Sequence, residues 1–126
     1  MNKNKKILLV DDESDITLPF SIVLEDNGFV VNVFNDPLLA LSSFKQGLYA
    51  LALIDIKMPT MNGYDLYREI RKLDDKVKVC FITAYDIKKD ELKAAIPTLK
   101  EEKPTIFRKP IKSENLVAGV KAEIEN

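Results

Sequence analysis

Residues 51–66 read LALIDIKMPTMNGYDL. The apolar run Leu51 to Ile54 has no polar break and stops at Asp55, which is how a strand covered on both faces reads. Such a strand belongs in the interior of a parallel sheet. Beyond Asp55 the chain passes Pro59 and Gly63, after which Leu66, Ile70 and Leu73 recur at helical spacing. A buried strand, a carboxylate at its end and a following helix form one βα unit.

Working outward, the same signal recurs. Candidate strands lie at Lys5 to Val10, Phe29 to Phe34, Tyr49 to Ile54, Val77 to Ile82 and Thr105 to Phe107. The first, third and fourth are nearly continuous in apolar residues and are expected in the middle of the sheet. Between the first two, Ile16, Phe20, Val23 and Leu24 form a helical stripe that Asn27-Gly28 stops. Pro19 lies about one turn into that helix and predicts a lost backbone hydrogen bond and a bend. Asp36-Pro37 is a helix start, with aspartate capping free N–H groups and proline tolerated at the first position. A fourth helix is expected to end near Ile96, with an irregular loop through Glu102, and a fifth follows Pro110. Strands alternating with helices give right-handed βαβ units. The expected fold is therefore α/β, a doubly wound parallel five-stranded sheet with helices on both faces. Its strand order, taken by analogy with flavodoxin-like sheets, is 2-1-3-4-5.

Composition narrows the function. The chain has 126 residues, 46 % of them apolar, which suits one domain over residues 1–126. Nineteen lysines and arginines against 20 acids offer no general attraction for nucleic acid or an anionic membrane. The absence of histidine removes Cys/His zinc sites, and a single cysteine, Cys80, removes an internal disulfide. Cys80 reads as a core residue, and no run approaches the ~20 apolar residues that span a bilayer. A cytoplasmic protein is expected.

The polar residues fall at the carboxyl ends of the strands. Strand one runs into Asp11-Asp12, strand three into Asp55, strand four into Thr83 and strand five into Lys109-Pro110. Ligands of open α/β sheets bind at that edge, beside the switch point between strands one and three. Three carboxylates converging there repel one another unless a cation holds them ionised, and all-oxygen ligands favour magnesium over zinc. A carboxylate attacks phosphorus when metal and cation neutralise the developing charge. Lys109 supplies the cation, and the Thr83 hydroxyl is available to a phosphoryl oxygen.

From ILLVDDE through LALIDIKMPTMNGYDL and CFITAYD to IFRKP, the chain resembles the response-regulator receiver family over essentially its whole length. The resemblance implies that Asp55 is the phosphoacceptor. It also implies that Asp12 and Asp55 ligate magnesium, that Asp11 acts on the ion through water, and that Lys57 contributes its backbone carbonyl. Thr83 and Lys109 match the switch hydroxyl and lysine, Lys109-Pro110 the family's cis peptide, and Met58, Pro59 and Gly63 its loop after the phosphoacceptor. Tyr85 and Lys57 stand where variable residues tune hydrolysis. Two departures stand out. Ile106 replaces the usual aromatic of strand five, Phe107 being displaced by one place onto the opposite face, and the stretch between Thr83 and Lys109 is longer, with Pro97 and Pro104.

The leading expectation is a phosphorelay switch. It takes a phosphoryl group from a sensor histidine kinase or phosphotransfer protein, acts only on itself, dephosphorylates itself and changes the surface offered to an output protein. Monomer or weak dimer is expected, with no output domain in this chain, no direct nucleic-acid contact and no membrane contact. The alternative is a degenerate receiver serving as a constitutive scaffold. A haloacid-dehalogenase-type hydrolase also uses an aspartyl nucleophile, but its D-x-D pair is missing from Asp55-Ile56-Lys57. Tyr64 and Tyr67 read as packing residues, and Lys88 to Lys93 (KKDELK) as a solvated helix face.

Overall fold

Alternation along each inner strand forces its side chains out of both sides of the sheet, so an unbroken apolar strand needs a helical layer on each side. The computed structural model, which describes residues 4–84, 94 and 104–125, has that arrangement. In chain order the elements are β1 (Lys6–Val10), α1 (Ser14–Asp26), β2 (Val30–Phe34), α2 (Pro37–Ser43), β3 (Leu51–Asp55), α3 (Gly63–Leu73), β4 (Lys78–Thr83), β5 (Thr105–Arg108) and α4 (Ser113–Glu125). All neighbouring strands pair in parallel, in the order β2-β1-β3-β4-β5. The expected doubly wound sheet and its strand order are both present. The expected fourth helix, with Ile96, Pro97 and the loop through Glu102, lies outside the described residues, as do Tyr85 and the Lys88 to Lys93 run.

The two cores show the alternation directly. Leu51 and Leu53 of β3, with Ile7 and Leu9 of β1, pack among Phe20 and Leu24 of α1 and Leu116 and Val120 of α4. Ala52 and Ile54, with Leu8 and Val10, pack instead among Ala40 of α2 and Leu66, Tyr67 and Ile70 of α3. Phe81 is fully buried there, with Tyr64 and Tyr67 edge-on at 5.5 and 5.9 Å. Both tyrosines are thus packing residues. Cys80 is buried in the opposite core, where burial pushes its thiol up to about 12.

Local signals placed the helices well. Asp36 caps α2 by accepting the Leu38 N–H at 2.9 Å, with Pro37 at the start of the helix. Gly28, at φ +90, follows the end of α1 and donates to the Glu25 carbonyl. Pro19 sits inside α1, which continues across it to Asp26. Strand limits shift by a residue or two, and the informative shift is in β3. Tyr49 leaves the ladder to pack on Phe44, while Asp55 joins it, paired with Ile82. The carboxylate is therefore carried by the strand itself. Among the described residues, no helix is long and apolar enough to cross a membrane.

Candidate functional site

Parallel strands bring all their carboxyl ends to one edge, and the pairing of β1 with β3 sets Val10 beside Ile54. The next residues, Asp11 and Asp55, are then neighbours without any contribution from side-chain packing. Asp11, Asp12 and Asp55 each offer a carboxylate oxygen within 4.8 Å of the others. Asp11 and Asp55 are buried and Asp12 is exposed. From β5 comes Lys109, whose Nζ stands 2.8 Å from Asp11 Oδ2 and 3.8 Å from Asp55 Oδ1. Its backbone N–H donates to the Thr83 carbonyl at 2.7 Å, tying the ends of β4 and β5.

The charges are unevenly balanced. Burial pushes the Asp55 carboxyl up to about 7; the negative charges of Asp11 and Asp12 add to this, against the attraction of Lys109 and a hydrogen bond from the Ile56 N–H. Burial by itself would lower the Lys109 ammonium. The hydrogen bond to Asp11 and the charges of Asp11, Asp55 and Glu13 outweigh it and hold the group above the ordinary lysine value. Lys109 thus offsets only part of the charge of these acids, since Asp55 is still pushed up beside it. A site with surplus negative charge and only oxygen donors fits a small hard cation such as magnesium.

The residues expected at the site fall into place unequally. Thr83 is buried at the end of β4, one step beyond the residue paired with Asp55. Lys57 follows in the loop with its side chain exposed, and the Lys109-Pro110 peptide is cis. Ile106 is half-buried against the α2/α3 core while Phe107 is buried on the α1/α4 side, so the two do face opposite ways.

Two further features support the site, of which the first, Asn35, is not singled out by the sequence and the second, Gly63, reads there only as part of the loop after Asp55. Asn35, just after β2, donates from Nδ2 to the Asp11 carbonyl at 2.7 Å and to Thr17 Oγ1 at 3.1 Å. Its only sequence signal is its place, after a strand and before the Asp36 cap. Gly63 is the second. Its N–H donates to the Ile56 carbonyl at 2.7 Å, and a Cβ there would lie 2.4 Å from the Asp55 carbonyl oxygen. Only glycine lets α3 start this close to the acceptor loop. Gly63→Ala is therefore expected to cost about 1–3 kcal/mol by overpacking against backbone and to shift the Asp55 amide resonance. Urea melts matching wild type would refute the contact.

Comparisons with known proteins point the same way. Residues 7–121 match the family described as the response regulator receiver domain. A transcriptional regulatory protein, a CpxR homolog of Haemophilus influenzae, is 35 % identical over 117 residues, covering 93 % of this chain and 49 % of that protein. The DNA-binding response regulator MtrA of Mycolicibacterium paratuberculosis is 32 % identical over 120 residues, covering 95 % and 51 %. The chain thus spans about half the length of these curated relatives. Among solved structures, a CheY-like response regulator receiver domain protein from Methanospirillum hungatei superposes with a TM-score of 0.85 at 26 % identity, covering 98 % of this chain and 95 % of that one.

Proposed function

The chain belongs to the response regulator receiver domain family, and on that premise we propose that it is a magnesium-dependent phosphorylation switch whose acceptor is Asp55. The observation that carries this reading is the meeting of Asp11, Asp12 and Asp55 within 4.8 Å, with the Lys109 ammonium 3.8 Å from the acceptor oxygen.

Asp11, Asp12 and Asp55 would hold the ion, with the backbone carbonyl of Lys57 completing the protein's share. When bound, magnesium supplies positive charge that keeps Asp55 ionised and offsets the charge of the entering phosphoryl group. The chain's own residues do the rest. An Asp55 carboxylate oxygen attacks phosphorus, forming the acyl phosphate as the bond to the donor's imidazole or acetate breaks. Lys109 stabilises the negative oxygens of the transferring group, and the Thr83 hydroxyl donates to one of them. Hydrolysis of the acyl phosphate by water later resets the switch, at a rate that the residues at positions 57 and 85 would tune.

The donor partner is a sensor histidine kinase or phosphotransfer protein in the cytoplasm, and the product is an altered surface for an output protein. CpxR homolog and MtrA are regulators about twice this length. A net charge of −1 gives the present residues no general affinity for DNA, so any such contact is assigned outside them.

Incubation with acetyl phosphate, followed by intact mass, tests the assignment. The wild-type protein is expected to gain one phosphoryl group only when magnesium is present, and Asp55→Asn to gain none. Gain in both proteins would move the acceptor elsewhere; gain in neither would favour the constitutive scaffold. Magnesium alone should bind weakly, because most of its ligands would be water, and Asp12→Ala should weaken it further.

A further inference from the structure

The acidic turn is gripped from its back as well as its front. Asp11 donates its N–H to the Phe34 carbonyl at 3.2 Å and accepts the Glu13 N–H on Oδ1 at 3.0 Å. Lys109 takes the other carboxylate oxygen. That leaves the Asp11 carbonyl, and it accepts from Asn35 Nδ2 at 2.7 Å. A carbonyl oxygen can only accept, so the amide nitrogen of Asn35 must face it. The second N–H of that amide goes to Thr17 Oγ1 at 3.1 Å, and the Thr17 hydroxyl donates to the Ser14 carbonyl at 3.4 Å.

This carbonyl belongs to the peptide plane that joins Asp11 to Asp12. Fixing its oxygen fixes the rotation of the plane, and with it the direction in which Asp12 leaves the backbone. Asp11 is fully buried and paired, and Asp55 is held in a strand, whereas Asp12 is exposed. Of the three carboxylates, Asp12 depends most on its backbone for its position. Asn35 is itself set between fixed elements: Phe34 before it is paired with Val10, and Asp36 after it caps α2.

We propose that Asn35 is a positioning residue for the cation site, acting through the Asp11–Asp12 peptide and braced by Thr17. The inference rests on the magnesium reading of the acidic cluster. Groups just outside a metal's ligands orient them, and losing one typically weakens metal affinity ~10–100-fold.

Magnesium titration of the amide resonances of Asp12, Glu13 and Ile56 is the test, run without any phosphoryl donor. Asn35→Ala is expected to raise the midpoint roughly tenfold. Asn32→Ala, which removes another asparagine side-chain hydrogen bond, to Tyr49 Oη at 2.8 Å, should leave the midpoint alone. Asn35→Asp keeps the size but places a carboxylate against the Asp11 carbonyl. Added charge alone would tighten magnesium binding, whereas lost positioning weakens it, and weaker binding is expected. An unchanged midpoint in Asn35→Ala, or tighter binding in Asn35→Asp, overturns the role of Asn35. An equal loss in Asn32→Ala also overturns it, by reducing the effect to general loosening. No response in the wild-type protein overturns the magnesium reading and this inference together.

Discussion

Asp55→Asn is expected to raise the melting temperature of the metal-free protein by about 5–10 °C near pH 8. The reason is the cost of charging this carboxylate in place. Burial and the neighbouring acids lift it from 3.8 to about 7, and at ~1.4 kcal/mol per pKa unit that sets a ceiling of about 4 kcal/mol on what its ionisation subtracts from stability. Asparagine removes the charge, keeps the shape and gives up the attraction to Lys109, so a net gain of about 2 kcal/mol is expected. The sign has a signature in pH. Between the unfolded value of 3.8 and the folded value of about 7, the native protein holds a proton that the unfolded chain has released. Metal-free stability should therefore fall as pH rises through that window and level off above it. The Asp55→Asn protein should lack that slope. Urea melts in chelator at about pH 5 and about pH 8 decide the matter. A clear fall in stability for Asp55→Asn at the higher pH would show that the carboxylate makes hydrogen bonds the fold needs.

Lys109→Met is expected to have the opposite effect and a larger one, a loss of about 3–5 kcal/mol near pH 8. The lysine side chain is 12 % exposed, its principal partner Asp11 is wholly buried, and the two are 2.8 Å apart. Removing the lysine leaves a buried carboxylate without its counter-charge and a second acid beside it, and the desolvation cost already incurred is no longer offset. Methionine fills much the same volume, so packing loss is small and the charge effect is isolated. The missing cation also lets protons take its place. The deficit should therefore shrink as pH falls toward about 5, because Asp55, pushed up to about 7 even with Lys109 beside it, takes up a proton and relieves the repulsion. Magnesium should recover part of it as well, which Lys109→Met in the Asp55→Asn background should not show to the same degree. A loss below about 1 kcal/mol at the higher pH would mean that solvent screens the pair.

The departure at strand five bears on output. Ile106 is β-branched with few rotamers, so it has less freedom to rearrange than the aromatic that the resemblance leads one to expect there. It is half-buried against the α2/α3 core, while Phe107 fills the other side of β5, close enough to α4 that a Cβ on Gly119 would lie 2.4 Å from its ring. Ile106→Tyr should enlarge the phosphate-dependent change along β5. An identical response in both proteins would make the isoleucine incidental.

Two pairs of acids separate what sequence determined from what tertiary structure decided. Asp11-Asp12 and Asp74-Asp75 are the same dipeptide, and the fold sets them at opposite edges, one after β1 and one before β4. The unbroken apolar runs fixed which strands are central, because a strand buried on both faces has no room for a polar residue. Periodicity and caps placed the helices, and the parallel sheet then required the carboxyl ends, with Asp11, Asp55, Thr83 and Lys109, to share an edge. How readily each acid holds its charge was not legible. Asp74 accepts the N–H groups of Gly47, Lys76 and Val77; burial pushes its carboxyl up, but those bonds and Arg71 outweigh it and hold it below the usual range. Asp55, short of such donors and crowded by acids, is pushed the other way. Neither the contact of Lys109 with Asp11, across 98 residues, nor the grip of Asn35 on the Asp11 carbonyl has a local signal. A charge's worth and a donor's target depend on burial and on which distant groups come within about 3 Å, and only the folded chain sets those distances.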